Sequence, residues 1–298
     1  MTSESAFNQQ GGTSRKLFTA MDFVVYAFLL GLGAIQFYMC QRADDFFRGD
    51  TTYFELARSL FETGFYGFDF KPETLLPPGL PMILASLCVT VGCTYTVLIR
   101  SMAVFVTLGF IASYEFLRRE EGRTVAAVFC LLLASSPIVF AFSTRLVFSD
   151  LPYFFTSMLA LLLVMQLDAA KNPHSRGVLS LLCGVCIASS LLIRSSGIAL
   201  LAGLFAWLAV SRFAGGEVRL RRLRTFVPVL LIGLFVEILW MIWVGQHEVL
   251  QWPMVGGYPQ SYIKQLEMKN GNEPELGKAS PSDIPTRVEN NWLRGQPH

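Results

Sequence analysis

The chain is written as apolar runs long enough to cross a bilayer, separated by short polar joints. A hydrocarbon core of about 30 Å takes about 20 residues of α-helix. Runs of this kind fall at about 18–40, 95–117, 124–142, 150–168, 177–193, 197–211 and 226–245. Inside a bilayer the backbone has no water to bond to, so a single spanning segment has to be a helix or part of a closed barrel. Composition agrees, with 53% of the 298 residues hydrophobic and 15% charged. Soluble domains carry roughly 25% charged residues. The sequence therefore predicts an all-α polytopic membrane protein. A net charge of +2 gives no reason to expect a nucleic-acid partner, and what matters is where Lys and Arg fall.

One apolar run is ambiguous. Residues 78–93, PGLPMILASLCVTVGC, are short for a crossing and open with Pro78, Gly79 and Pro81. Length allows a short span or a helix lying in the interface. The basic residues decide between them. If 78–93 stays on the surface, Arg118–Arg123, Lys171–Arg176 and Arg212–Arg224 all lie on the side of the N-terminus. The last loop alone holds Arg212, Arg219, Arg221, Arg222 and Arg224. A crossing at 78–93 would send that cluster to the opposite side, against the positive-inside rule. The expectation is seven spans in the cell (inner) membrane. Residues 1–17 form a cytoplasmic segment, 18–245 the membrane module with an outer loop 41–94, and 246–298 an extracytoplasmic tail. The fifth and sixth runs are joined by Ile193-Arg194-Ser195-Ser196, which leaves a tight hairpin or one broken element open.

Six cysteines lie in or beside apolar runs, and no disulfide framework is visible. Cys183-x-x-Cys186 has redox or metal spacing, but no His is near, and the pair is read as small packing residues.

The outer loop is the polar centre of the chain. Tyr53, Leu56, Ala57, Leu60 and Phe61 recur at helical spacing and define one apolar face. Thr52 with Glu55 forms a capping box, and Gly64 suits the helix stop. Asp50 then stands just before the helix. A carboxylate there stabilises the helix dipole by about 0.3–1 kcal/mol, which taken alone accounts for it. Taken alone, Glu73 is a loop carboxylate and Asp150 the start of a span with Pro152 in its first turn. Glu237 falls near the middle of the last span, where an ionisable group has to face protein or water.

These residues carry a resemblance. Asp50, Tyr53, Ala57, Leu60, Gly64, Tyr66 and then Pro77-Pro78-Gly79-x-Pro81 resemble the first outer loop of C-type (GT-C) integral-membrane glycosyltransferases. That superfamily includes the protein mannosyltransferases and the aminoarabinose transferase of lipid A. Asp150, at the outer start of the fourth span, and Arg194, in the turn between the fifth and sixth, are similar to further positions of the family. Leu76 stands where the family often has a basic residue, and Lys71 is the nearest cation.

The resemblance implies transfer of a sugar from a polyprenyl-phosphate donor to an acceptor at the outer membrane face. Asp50 is the expected base, taking the acceptor proton. Asp150 is the second acid. Arg194, Arg145 and Lys71 are expected to hold the departing phosphate, since an anionic leaving group needs a cation. Glu73, Tyr53 and Arg100 are further site candidates. No resident cofactor is implied, and a divalent metal, if used, falls to Asp50 and Asp150. The expected partners are membrane lipids and the lipid-linked sugar. Two other classes remain: a non-catalytic or truncated module of the same kind, and a lipid or solute transporter with its charges near the midplane.

The topology is open to a direct check. In sealed cells an impermeant thiol reagent is expected to label Asp45→Cys and Lys278→Cys and to leave Arg221→Cys unlabelled. Labelling at position 221 would overturn the seven-span count.

Overall fold

The computed structural model describes residues 19–40, 48–68, 71–211 and 216–247, with 267, 269, 277–283 and 285 of the tail. The N-terminal segment 1–17 and most of the tail 246–298 therefore lie outside the described residues. The helices are α1 (Ala20–Met39), α2 (Arg48–Thr63), α3 (Gly79–Val91), α4 (Tyr95–Glu120) and α5 (Arg123–Ala134). They continue as α6 (Pro137–Arg145), α7 (Asp150–Ala169), α8 (Pro173–Ile193), α9 (Ile198–Val210) and α10 (Gly216–His247). Between α2 and α3, β1 (Gly67–Phe68) pairs antiparallel with β2 (Lys71–Pro72).

The protein is an all-α membrane protein. Five helices are long and apolar enough to cross a bilayer: α1, α4, α7, α8 and the stretch Leu220–His247 of α10. The third apolar run is two helices, α5 and α6, bent by 57° at a short break. The break has a local cause, because Pro137 lacks an N–H and its ring clashes with a continuing helix. Counted as one span, the pair makes six. The sixth run of the sequence becomes α9, with 13 residues. At 1.5 Å per residue that is about 20 Å, short of the hydrocarbon core. The fifth run is a complete helix of 21 residues, so Arg194 starts a break between two separate helices, α8 and α9.

The helices run between two ends of a bundle. At the end where α1 begins, here called proximal, Asp22 is wholly buried. It accepts a hydrogen bond from the Tyr114 hydroxyl at 2.8 Å and meets Arg118 and Arg123 at 3.3 Å each. Thr19 caps α1 and reciprocates through the same carboxylate. Glu115 joins the group through Arg118 and the Tyr26 hydroxyl. At the distal end, where α1 stops, the Cys40 thiol lies against the carbonyls of Ile99 and Ser143, on α4 and α6. Close approach in between depends on small residues. A Cβ on Gly33 would fall 2.2 Å from the Thr107 hydroxyl, and one on Gly184 would fall 2.7 Å from Ile232. Such contacts are how helices associate where lipid removes the hydrophobic drive.

The loop helix α2 carries the expected apolar face, with Tyr53, Leu56 and Ala57 buried, although Phe61 is exposed. Gly64 ends it at φ 70°, and its N–H bonds the Leu60 carbonyl at 3.1 Å. Its start differs from expectation. The helix begins at Arg48, so Thr52 and Glu55 lie inside it and form no capping box, and Asp50 belongs to the first turn. Residues 78–93 form α3, whose first residue, Gly79, packs on the end of α8. A Cβ there would fall 2.6 Å from the Leu192 carbonyl carbon. A disulfide joins Cys88 to Cys93 where α3 gives way to α4, which spacing alone does not reveal. Cys183 is buried with its thiol on the Ala160 carbonyl, in keeping with a packing role.

The Asp22 cluster gives a stability prediction. Removing one partner of a buried charge group leaves the others unpaired and costs about 3–5 kcal/mol. Asp22→Ala is expected to lose that much in detergent unfolding measurements. A loss below about 1 kcal/mol, the median for exposed pairs, would mean that Arg118 and Arg123 relax to solvent.

Candidate functional site

Three segments far apart in sequence meet at the distal end. The first is α2, which presents Tyr53. The second is the entry to α7, where Ser149 precedes Asp150. The third is the break after α8, which holds Arg194. Tyr53 is buried and donates its hydroxyl hydrogen to the Ser149 Oγ at 3.1 Å. Arg194 Nη1 donates to the Asp150 carboxylate at 2.5 Å and lies 3.4 Å from the same Ser149 oxygen. Ser149 is thus the joint between the loop helix and the ion pair.

Local structure explains the placement. Ser149 is the N-cap of α7, and Asp150 occupies its first turn, where a carboxylate favours the helix dipole. Pro152 follows in the same turn, where its missing N–H costs nothing. Arg194 has extended backbone (φ −154°, ψ 133°) and interrupts the helix, which sends its side chain out of the α8 stack. The Asp150 and Arg194 side chains are 53% and 42% exposed. An ion pair so open to solvent contributes only about 0–1 kcal/mol. It orients a guanidinium more than it stabilises the fold.

The proline-rich segment adds the second half of the site. Glu73 accepts hydrogen bonds from the backbone N–H groups of Leu75 and Leu76 at 2.7 and 3.1 Å. The Tyr66 hydroxyl donates to the Leu76 carbonyl at 2.6 Å, and the Glu73 N–H donates to the Tyr66 carbonyl at 3.1 Å. The aromatic ring of Tyr66 lies against Trp240 and Trp243 near the end of α10. Burial pushes the Glu73 carboxyl above its ordinary range, against the opposing pull of its backbone hydrogen bonds. Burial also pushes the Tyr53 phenol up, with Ser149 and Arg194 opposing and Asp150 and Glu73 adding to the rise. Glu73 therefore acts on the same phenol as the Asp150–Arg194 pair.

Of the residues singled out by the sequence, Asp150 and Arg194 pair directly, Tyr53 joins them through Ser149, and Glu73 lies near enough to push the Tyr53 phenol up. Arg145 is exposed and gives only its carbonyl, to the Tyr95 hydroxyl at 3.2 Å. Lys71 is exposed on β2. Arg100 lies over the Phe37 ring, 5.1 Å from its centroid, with its Nε buried and without a hydrogen-bond partner. None of these three cations forms an ion pair with Asp150 or Glu73. The Asp50 side chain lies outside the described residues, and only its place in the first turn of α2 is defined. Ser149, Trp240 and Trp243 are the members that sequence reasoning missed. Ser149 was within reach as the residue before a helix-starting Asp. The two tryptophans carry no signal until α10 is packed beside the loop.

Chemically the cluster offers an oriented guanidinium, a buried phenol, a carboxylate of raised proton affinity and two indoles. Among the described residues no group of three or more His, Cys, Asp or Glu side chains could hold a metal ion. One carboxylate oxygen of Asp150 is already taken by Arg194. The class defined by fold and site is that of a helical membrane protein with a polar cluster at one end of its bundle. No protein-family model matches the chain, and no curated protein matches it.

Glu73 makes the stability pH-dependent. A carboxyl whose folded pKa is raised favours the folded state when protonated. Its contribution is complete below the unfolded pKa and is lost as pH rises through the folded one. The unfolding midpoint is expected to fall as pH climbs out of the ordinary carboxylate range. In Glu73→Gln that part of the slope should vanish, and an unchanged slope would assign it elsewhere.

Proposed function

We propose that the protein is a C-type integral-membrane glycosyltransferase that moves a sugar from a polyprenyl-phosphate carrier to an acceptor at the outer membrane face. The observation that carries this reading is the convergence of Tyr53, Ser149–Asp150 and Arg194, from three segments that share one end of the bundle. These are the segments through which the sequence resembles that superfamily.

In this reading the distal end faces outside. The chain crosses seven times, with α5–α6 as one bent crossing and α9 as a short one. Arg222 bonds both Asp168, at the proximal end of α7, and Ser211, just past α9, so α9 leads from the distal end to the proximal one. The segment α3 lies along the interface, since it starts against the distal end of α8 and stops just before α4 begins there. A disulfide at Cys88–Cys93 suits an oxidising outer compartment. The Tyr66, Trp240 and Trp243 group suits the headgroup level, where aromatic residues concentrate.

The chemistry follows from the positions. Asp50 lies one turn before Tyr53 on α2 and serves as the base. As the acceptor oxygen bonds the anomeric carbon, its proton passes to the Asp50 carboxylate and the glycosyl–phosphate bond breaks. Polyprenyl phosphate leaves with the bonding electrons. Asp150 holds Arg194 so that its remaining N–H donors meet that phosphate.

Purified protein given a radiolabelled polyprenyl-phosphate sugar tests the reading. Asp50→Asn is expected to lose about 10²–10⁴-fold in transfer, the usual worth of a general base, with donor binding kept. Arg194→Gln is expected to weaken donor binding. Near-normal turnover in Asp50→Asn would reduce Asp50 to a helix-start residue and move the base to Glu73. Donor binding without any transfer would favour the non-catalytic alternative.

A further inference from the structure

A second feature lies away from the distal cluster. Between α7, α8 and α9 there is a cleft of about 350 Å³ lined by Leu161 and Val164 of α7, Ile187 of α8, and Gly203, Leu204 and Trp207 of α9. Its walls are apolar throughout. Such a space does not hold water, which needs two to four polar partners. Within a bilayer-embedded bundle its natural content is hydrocarbon.

One mouth of the cleft carries charge. Leu161, Val164 and Asp168 recur at i, i+3 and i+7, so the α7 wall ends in a carboxylate at the proximal end. The α9 wall ends in Trp207 and then Ser211. Arg222 closes the gap between the walls. It bonds Asp168 through Nε at 3.2 Å and Nη2 at 2.9 Å, and Ser211 through Nη1 at 3.3 Å. Its guanidinium lies 4.6 Å from the centre of the Trp207 ring, which also packs on Phe226. Arg222 is thereby neutralised and fixed. Arg221 shares the same carboxylate more loosely, at 3.9 Å, and is 49% exposed. Two arginines thus meet one aspartate, which leaves one positive charge in surplus beside the Trp207 end of the cleft.

We propose that this cleft is a binding site for an anionic glycerophospholipid, with one acyl chain against Gly203 and Trp207 and the phosphate headgroup at Arg221. The occupant follows from charge complementarity. A zwitterionic lipid fills the cleft equally well but gains little from the exposed Arg221 guanidinium. An anionic one meets both the hydrocarbon walls and the surplus positive charge. Juxtamembrane arginines attract anionic headgroups in this way generally. Here the Arg222 bridge to both walls and to Trp207 fixes the place of binding.

The test reads quenching of Trp207 by brominated acyl chains. The full-length protein is placed in phosphatidylcholine nanodiscs doped with equal fractions of brominated phosphatidylglycerol or brominated phosphatidylcholine. Subtracting the signal of Trp207→Phe isolates the one indole. Brominated phosphatidylglycerol is expected to associate about fivefold more tightly, as one surface arginine would provide. Arg221→Gln is expected to bring the two lipids level without disturbing helix packing. Gly203→Phe is expected to reduce quenching by both, because a side chain there enters open space and fills the cleft. Equal quenching of the unaltered protein by the two lipids would overturn the proposal. So would a preference that survives Arg221→Gln, or one lost only in Arg194→Gln, which would put the headgroup at the opposite end.

Discussion

Everything polar in this molecule answers to one constraint, the absence of water along the middle of its helices. A backbone that crosses hydrocarbon has to satisfy its own hydrogen bonds. The helices are therefore continuous where they are apolar and broken where polar side chains gather. The break at Arg194 and the entry at Ser149–Asp150 are the clearest cases. Both occur at a helix end, where backbone groups are already unsatisfied and a side chain can reach sideways. The proximal end follows the same rule with the opposite outcome. There Asp22, Glu115, Arg118 and Arg123 close on each other and on two tyrosines, and little of them reaches solvent. The Asp22 group is closed on itself, and the Asp150–Arg194 pair is open to solvent.

That difference suits a division of labour. The Asp22 group ties α1, α4 and α5 into one unit. The Asp150–Arg194 pair ties little together, being open on both sides. A charged pair that adds little to stability is held at 2.5 Å beside a buried phenol, open to solvent. The loop helix α2 reaches the same spot because Tyr53, Leu56 and Ala57 bury a face that spacing alone assigns to packing. Tyr53 belongs both to the core and to the site, so the site's geometry depends on how the loop is packed.

Close backbone approach is the other theme. Gly79 lets α3 rest on the end of α8, and Gly33 and Gly184 bring neighbouring spans together. Gly203 is the contrast, since it faces open space where a packed bundle would have a larger residue. The apolar cleft opens at that position, beside Trp207.

The sequence by itself determined the helical class, most of the apolar runs, the amphipathic face of α2 and its glycine stop. These follow from hydropathy and periodicity, which are properties of single segments. It also marked Tyr53, Glu73, Asp150 and Arg194, since polar residues stand out against apolar runs. It misplaced the start of α2 by five residues, because the capping-box pattern at Thr52 and Glu55 points to a first helical residue at Tyr53 while the helix begins at Arg48. Only the tertiary structure decided which charges meet. Arg194 could as well have faced water as Asp150, and Arg222 could have faced lipid headgroups as easily as Asp168. It also decided that the third run bends, that Cys88 meets Cys93, and that Tyr66 packs on Trp240 and Trp243. The charge pairs and the Tyr66 contact depend on how segments distant in the chain come to lie side by side, and pairwise contact energies of that kind leave no periodic trace in the sequence, whereas the bend at Pro137 and the Cys88–Cys93 bond are local geometry that spacing does not give.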